Sequence, residues 1–599
     1  MLSRRTIVIA LVAATAGTAC RTKPNAESCL ATPCASGLSC DSMTQLCTGP
    51  DGGTGNDGGP PGSIFIAAPA GPTAYAHGAV TIAVDVTPGS PVPSSVDVLI
   101  DGTKLATVAS APPYTTTWDT TRETEGNHQV SARASISGRV VTAAAVTVVV
   151  DRKAPMILSQ TPVVGAANVL ISDPIQIQFT EALDPTTVSA STIGLATPDG
   201  QLPVSVTLSS DGTTITVVVS DRTGLTFPAT VTETVAATVA DLAGNQLATP
   251  ASWSWIVPRW VTLASVPGQR PSVAIGPDDH PVVSYLSSAG VGLAKYAKGA
   301  VWDVSIPSPA TGTVTGAAIA LDKAGTPFVA WSAGHTFVAN WTGSSWDTSA
   351  YGNVPDTGVQ GSVSALKLDG MGQPVVGWST NICGMCGDSA LVARWNQGAW
   401  EALFTGTSPI TPGDPLLQVD SAGAPTIWAS FKILRFTGGS WLPVDTSGVA
   451  GGTSALAVTL ALDVQDRPVV VTAVRASPEA PSTLQVQYAA AGSWTTLATK
   501  LMTGSSTAPA EVHLALDGNG NPTLVWSEVT SGEQSLHVAK FTGSGWDVGY
   551  DPLNGVFGSN TNAANASVVL DAVGAPVVVW QESSGSANAP SIFMWRANR

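Results

Sequence analysis

The chain of 599 residues carries a net charge of −16 but has only 11% charged residues, against roughly 25% in ordinary soluble proteins. A net negative surface is repelled by nucleic-acid phosphates and by anionic lipid, so neither is expected as a partner of the folded domains. Gly, Ser, Thr, Ala and Val take the place of the missing charges, and no long amphipathic helical pattern follows the first twenty residues, which points to an all-β protein.

Residues 1–20 read as a targeting segment rather than as fold. Arg4 and Arg5 form a charged start, and Thr6 to Ala16 an apolar stretch. Gly17-Thr18-Ala19-Cys20 then resembles the lipobox of bacterial lipoproteins, and Ser3-Arg4-Arg5 resembles a twin-arginine export signal. The lipobox resemblance implies that Cys20 becomes the acylated N-terminus of an exported protein, with Arg21 favouring the outer membrane or cell surface. Membrane contact is then expected through the lipid alone.

Of the seven cysteines, Cys29, Cys34, Cys40 and Cys47 cluster within residues 21–48, and Cys383 and Cys386 form a Cys-x-x-Cys. A segment this short cannot bury a core, so the cluster is expected to be a disulfide-stapled knob, with its pairing open. Cys383 and Cys386 are expected to staple a loop. No metal or cofactor is expected. Residues 49–62 hold ten Gly or Pro in fourteen positions and form a flexible linker.

Two sandwich domains come next. Over 63–151 short alternating runs are separated by turn residues. Tyr114, Trp118, Gly126, His128 and Val130 resemble the pattern of bacterial Ig-like domains, with Trp118 as core plug and His128 on a strand. Over 152–258 the residues Ile175-Gln176-Ile177-Gln178-Phe179, Glu181, Leu183-Asp184-Pro185 and Asp241-Leu242-Ala243-Gly244-Asn245 resemble the Ig-like domains of bacterial S-layer and surface proteins. Alternation puts Ile175, Ile177 and Phe179 on one buried face. Asp241 and Asn245 are read as a turn that bonds its own backbone rather than as calcium ligands.

From 259 to 599 one pattern returns seven times. Asp322-Lys323-Ala324-Gly325-Thr326-Pro327 is echoed by Asp369 to Pro374, Asp420 to Pro425, Asp463 to Pro468, Asp517 to Pro522 and Asp571 to Pro576, with a degenerate first copy from Gly276 to Pro281. Successive prolines lie 46, 47, 51, 43, 54 and 54 residues apart, a period that suits the blades of a propeller. Each unit offers an apolar run into the turn and a second run begun by Pro. A third run closes on an aromatic (Tyr296, Trp341, Trp395, Phe436, Tyr488, Phe541 or Trp595), and a fourth opens on Trp302, Trp346, Trp400, Trp441, Trp494 or Trp546. The seventh unit lacks its fourth run, and Trp260-Val261-Thr262-Leu263 is expected to supply it and close the ring. The expected fold is two Ig-like sandwiches followed by a seven-bladed propeller of four-stranded blades.

Chemistry is sparse. The repeated Asp residues read as turn formers; they resemble the Asp-box turns of sialidase-type propellers without matching that motif, and no arginine cluster accompanies them. Glu528 and Glu582 each follow a blade Trp by two residues, and were they to meet on a loop face they could act as acid and base; solvated loop acids are the blander reading. His335 is expected in a short loop. The turn face repeats while the opposite face varies, which puts any site on the variable loops. The expectation is a non-enzymatic surface lipoprotein whose head binds a glycan or a protein, with the Ig-like domains as stalk. The rivals are a propeller enzyme acting on extracellular polysaccharide and a structural envelope component.

Overall fold

The computed structural model describes residues 39–40, 47–48 and 63–598 apart from loop segments, the longest being 306–312, 355–360, 382–387, 408–415, 450–456, 503–508, 554–560 and 585–589. Cys20, Cys29, Cys34, Cys383, Cys386 and the 49–62 linker lie outside the described residues. Two short strands, Ser39–Cys40 and Cys47–Thr48, pair antiparallel with Cys40 opposite Cys47. Among the described residues no helix is long and apolar enough to cross a membrane.

The chain divides into two compact units. The first contains residues up to Met156 together with Thr180–Thr187 and Ala237–Thr249. Its sandwich sets a three-stranded sheet (Ile64–Ala68, Ala79–Val86, Tyr114–Asp119) against a larger one built on Gly126–Ile136. Inward residues of both sheets make one core around Ile82, Val84, Val98, Tyr114, Trp118, Val130 and Val148. Trp118 is the core plug its position predicted, edge-on to His128 at 5.5 Å. His128 is on a strand, as expected, with Nδ1 2.7 Å from Asp101 Oδ2 and Nε2 2.8 Å from the Thr124 carbonyl. The Asp241 turn is self-bonded: Oδ1 accepts the N–H groups of Ala243 and Asn245, at 2.8 and 2.9 Å.

The second unit contains the rest of the second sandwich and everything after it. One sheet runs Ile157–Thr161, Ile175–Phe179, Thr214–Val219, Val204–Leu208; the other runs Gly200–Leu202, Ile193–Thr197, Ala229–Val235, Ala251–Val257. Ile175, Ile177 and Phe179 are buried and their neighbours exposed, the alternation read from sequence.

The repeats fold as antiparallel meanders. In the first, Gln269–Ile275, Pro281–Ser287, Gly290–Ala297 and Ala300–Ser305 pair in order. Among the described residues the strands that open successive meanders are β1 (Gln269–Ile275), β2 (Gly316–Leu321), β3 (Gly361–Leu368), β4 (Leu416–Val419), β5 (Ala457–Leu462), β6 (Val512–Leu516) and β7 (Thr561–Leu570). Each packs on the next, and β7 packs on β1, so these strands form a closed cycle. The last meander takes its fourth strand from the other end of the array: Trp260–Pro267 pairs with Ser591–Ala597, Trp260 opposite Ala597. The arrangement is propeller-like.

The turn explains the repeat. Asp322 Oδ1 accepts the N–H groups of Ala324 (2.9 Å) and Thr326 (2.8 Å), and Asp369, Asp420, Asp463, Asp517 and Asp571 do the same at their own turns. The fourth turn residue has positive φ, +81° at Gly325, a conformation that favours glycine. Two turns place aspartate there instead, Asp279 (φ 60°) and Asp466 (φ 59°). Both reach the preceding meander: Asp279 accepts the Ala572 N–H at 2.8 Å and Asp466 the Ser421 N–H at 2.9 Å. The left-handed strain is offset by a tie between neighbouring turns.

The aromatics are packing. Trp341–Trp346, Trp395–Trp400, Phe436–Trp441 and Phe541–Trp546 face each other across the outer hairpins with ring centroids 5.4–5.5 Å apart, all edge to face. The Trp400 and Trp441 indoles donate to the Tyr351 and Leu403 carbonyls, both at 2.6 Å, tying each outer strand to preceding chain.

Candidate functional site

Strand reversal puts the Asp turns at one end of the meanders; the opposite end carries the starts of the first strands, the ends of the second strands and the variable loops. At this opposite end three innermost strands bulge. Register shifts fall between Gln269 and Ser272, Val363 and Ala365, and Ala564 and Ser567. Arg270 and Asn565 take φ of 48° and 53° inside two of these bulges. A bulge turns a side chain away from its sheet position, and both residues are exposed.

The bulges assemble a polar rim. Gln581 Oε1 accepts from the Arg270 N–H (3.2 Å) and from Asn565 Nδ2 (3.1 Å). Arg270 Nη1 donates to the Thr315 carbonyl at 2.5 Å, which also accepts from Ser362 Oγ at 3.1 Å. Glu511 Oε2 accepts the Ala566 N–H at 3.3 Å and lies 3.1 Å from His513 Nε2. Glu511 Oε1 is buried with no hydrogen-bond partner. The Glu511 and His513 side chains remain 19% and 32% exposed, open enough to meet a ligand. The rim thus joins β6, β7, β1, β2 and β3 and presents a guanidinium, an imidazole, a carboxylate and two amides. Such a mixture suits hydroxyl-rich or peptide groups, which both donate and accept.

Glu528 and Glu582 are not loop acids. They lie within the strands Pro522–Thr530 and Pro576–Ser584 and are only 2% and 0% exposed. Each accepts the indole N–H of its own blade tryptophan, Trp526 to Glu528 at 2.6 Å and Trp580 to Glu582 at 3.0 Å. Trp526 packs with Val471, Leu484 and Val512 of the fifth and sixth meanders, Trp580 with Val525, Leu536 and Val538 of the sixth. The two carboxylates therefore occupy successive seams instead of sharing one pocket. The physical reason is the buried indole, whose N–H needs an acceptor. His335 likewise opens the strand His335–Trp341 rather than sitting in a loop. The rim residues escaped the sequence reading because only the bulges bring them together, and a bulge has no composition signal in these strands.

A second cluster lies in the first unit, where carboxylate oxygens of Asp151, Glu181 and Asp241 all come within 4.8 Å of one another. Burial, then a hydrogen bond with Asp151 and the charges of Asp151 and Asp241, push the Glu181 carboxyl up to about 7. These three acids are the described residues best placed to hold a cation. Their geometry is equally that of a carboxyl pair sharing a proton.

Residues 63–132 match the model of a bacterial Ig domain, and residues 151–256 that of a bacterial Ig-like domain. The chain carries two bacterial Ig-like domains. The domain after them is similar in structure to a protein of unknown function from Dyadobacter fermentans (10% identity, 57% of this chain and 100% of that one, TM-score 0.33). It is also similar to an α-L-arabinanase from Penicillium chrysogenum complexed with arabinobiose (11% identity, 56% and 98%, TM-score 0.33), and to an endo-arabinase from Bacteroides thetaiotaomicron (11% identity, 56% and 96%, TM-score 0.27). At these scores the likenesses carry no argument about activity. No curated protein matches the chain.

Proposed function

We propose that this is an exported surface lipoprotein, anchored through Cys20, whose Ig-like domains act as a stalk for a seven-bladed propeller head that binds an envelope or extracellular glycan or protein. The cysteines Cys29, Cys34, Cys40 and Cys47 form its disulfide knob, and Cys383 with Cys386 staples a head loop. The observation that carries the reading is the polar rim of Arg270, Glu511, His513, Asn565 and Gln581. It offers exposed and half-buried donors and acceptors from neighbouring meanders at the end where the loops vary. Recognition of a hydroxyl-rich or peptide surface needs such convergent polar groups. The enzyme reading finds less support, because Glu528 and Glu582 are each engaged by an indole in separate seams.

The test mixes the full chain with a panel of envelope and extracellular polysaccharides and peptidoglycan, and with envelope protein extracts. Retention is measured along with new small products by mass spectrometry. The expected result is retention of one glycan or protein class without products, weakened in Arg270→Ala and Glu511→Gln. Products that disappear in Glu528→Gln or Glu582→Gln would replace the binding reading with an enzymatic one. In the same cells Cys20→Ser is expected to release the protein from membranes, and continued retention would remove the anchor.

A further inference from the structure

Lys367 occupies a position that recurs once in every innermost strand. It pairs in register with Val375, the residue after Pro374. The same register position holds Ala274, Ala320, Gln418, Ala461, Ala515 and Val569 in the other meanders. Six of these seven residues keep part of their surface open although they belong to the innermost strands. Lys367 is the single charge among them.

The side chain's surroundings follow from strand alternation. Leu366 and Leu368 pack with Ala318, Phe328 and Val338 of the second meander. Lys367 is turned to the other face, where Ala365 packs with Leu417 and Val419 of the fourth. That seam is apolar, so the stem fits it and the ammonium must leave it to stay hydrated. Had the ammonium turned toward the Asp turns it would meet Asp369 or Asp420. Neither carboxylate is paired with it, and burial alone pulls its pKa down. Among the described residues it has neither a hydrogen-bond nor an ion-pair partner, whereas Gln418 donates its amide to the Leu460 carbonyl at 2.9 Å. Lys367 belongs to the closed cycle of innermost strands and keeps part of its surface open. Partly open residues at one register position of such a cycle stand around the axis of the ring, and Lys367 is the charged one.

We infer that the axial channel receives an oxyanion of the ligand, a carboxylate, sulfate or phosphate group, against the ammonium of Lys367. This inference rests on the binding reading above and specifies its chemistry. An ammonium without a counter-charge is costly in low dielectric, and a charge-assisted hydrogen bond to an oxyanion relieves that cost. The uncharged residues at the other ring positions leave one point of attachment, which fixes the anion off the axis toward β3.

The experiment titrates the full chain at low ionic strength with glucuronate, sulfate and inorganic phosphate, using calorimetry on wild type, Lys367→Met and Lys367→Gln. Saturable binding of at least one probe is expected, weakened roughly tenfold or more in both variants; which probe binds separates a sugar acid from a sulfate or phosphate ester. ¹⁵N detection of the Lys367 ammonium in wild type gives a readout independent of how the variants fold, its signal persisting to higher pH when the probe is bound. No binding of any probe to wild type, or equal affinity in the variants, overturns the inference. Capture of the same envelope glycan or protein by wild type and Lys367→Met alike would overturn it while leaving the binding reading intact. Probe binding through Lys367 with no macromolecular partner captured would uphold the inference and remove the reading.

Discussion

Glu233 makes the stability of the second sandwich depend on pH in an unusual direction. It lies on the core face of Ala229–Val235, between Val231 and Val235, with Leu195 and Trp253 opposite it on the neighbouring strands. It is 0% exposed, and neither carboxyl oxygen has a hydrogen-bond partner. Burial pushes its pKa from 4.5 up to about 8, so at neutral pH the folded domain holds it protonated. Between those two values the folded state binds more protons than the unfolded one, so stability falls as pH rises and is lowest above about 8. At about 1.4 kcal/mol per pH unit, the whole interval amounts to roughly 5 kcal/mol and the part below pH 7 to roughly 3 kcal/mol. Glu233→Gln keeps the shape and removes the proton. The measurement is hydrogen exchange by mass spectrometry on the full chain, following peptides from Ala229–Val235 and Ala251–Val257 between about pH 5 and about pH 8.5. Protection corrected for intrinsic exchange is expected to fall with pH in wild type and to stay nearly level in Glu233→Gln. Parallel profiles in the two proteins would refute the reasoning.

Arg596 latches the last meander to the first: it donates to Asp571 Oδ2 from Nε (2.9 Å) and Nη2 (2.6 Å), to the Asp279 carbonyl from Nη1 (3.2 Å) and to the Asp279 carboxylate. Arg596 and Asp571 are only 5% and 7% exposed, so Arg596→Met strands a buried carboxylate and is expected to cost about 3–5 kcal/mol; an unchanged urea midpoint for the ring would disprove the latch. Glu181, held up to about 7 by burial and by its carboxylate neighbours, stabilises its cluster with Asp151 and Asp241 most below its unfolded value near 4.5 and loses that contribution as pH rises through about 7. Exchange protection of the 180–187 and 237–249 segments is therefore expected to fall over that range and to level off in Glu181→Gln, and a wild-type profile without that fall would count against the shared proton.

Local regularities were legible in the sequence because they obey local rules. The Asp-x-x-Gly-x-Pro turn is written in residues that bond their own backbone, so its five exact copies, the two variants at 276–281 and 463–468, and the strands around them followed directly. The missing last strand was found by counting, and Trp260–Pro267 fills it. Trp118 and the Ile175–Phe179 alternation were read correctly because burial in a sandwich follows a period of two. Glu528 and Glu582 were misplaced for a related reason: two residues beyond a strand tryptophan looked like a loop, but the strands extend further, and the buried indoles claim both carboxylates.

The sequence by itself determined the order of domains, the meander and its turn, since each depends on contacts between residues a few positions apart. Only the tertiary structure decided which polar residues meet. Arg270 and Asn565 meet Gln581 through bulges in strands about three hundred residues apart, Glu511 joins them by accepting the Ala566 N–H, and Lys367 is the one charge among the uncharged residues that six other strands place around the same ring. Contacts of that kind arise from closing the cycle of innermost strands, and no window of sequence contains both sides of them.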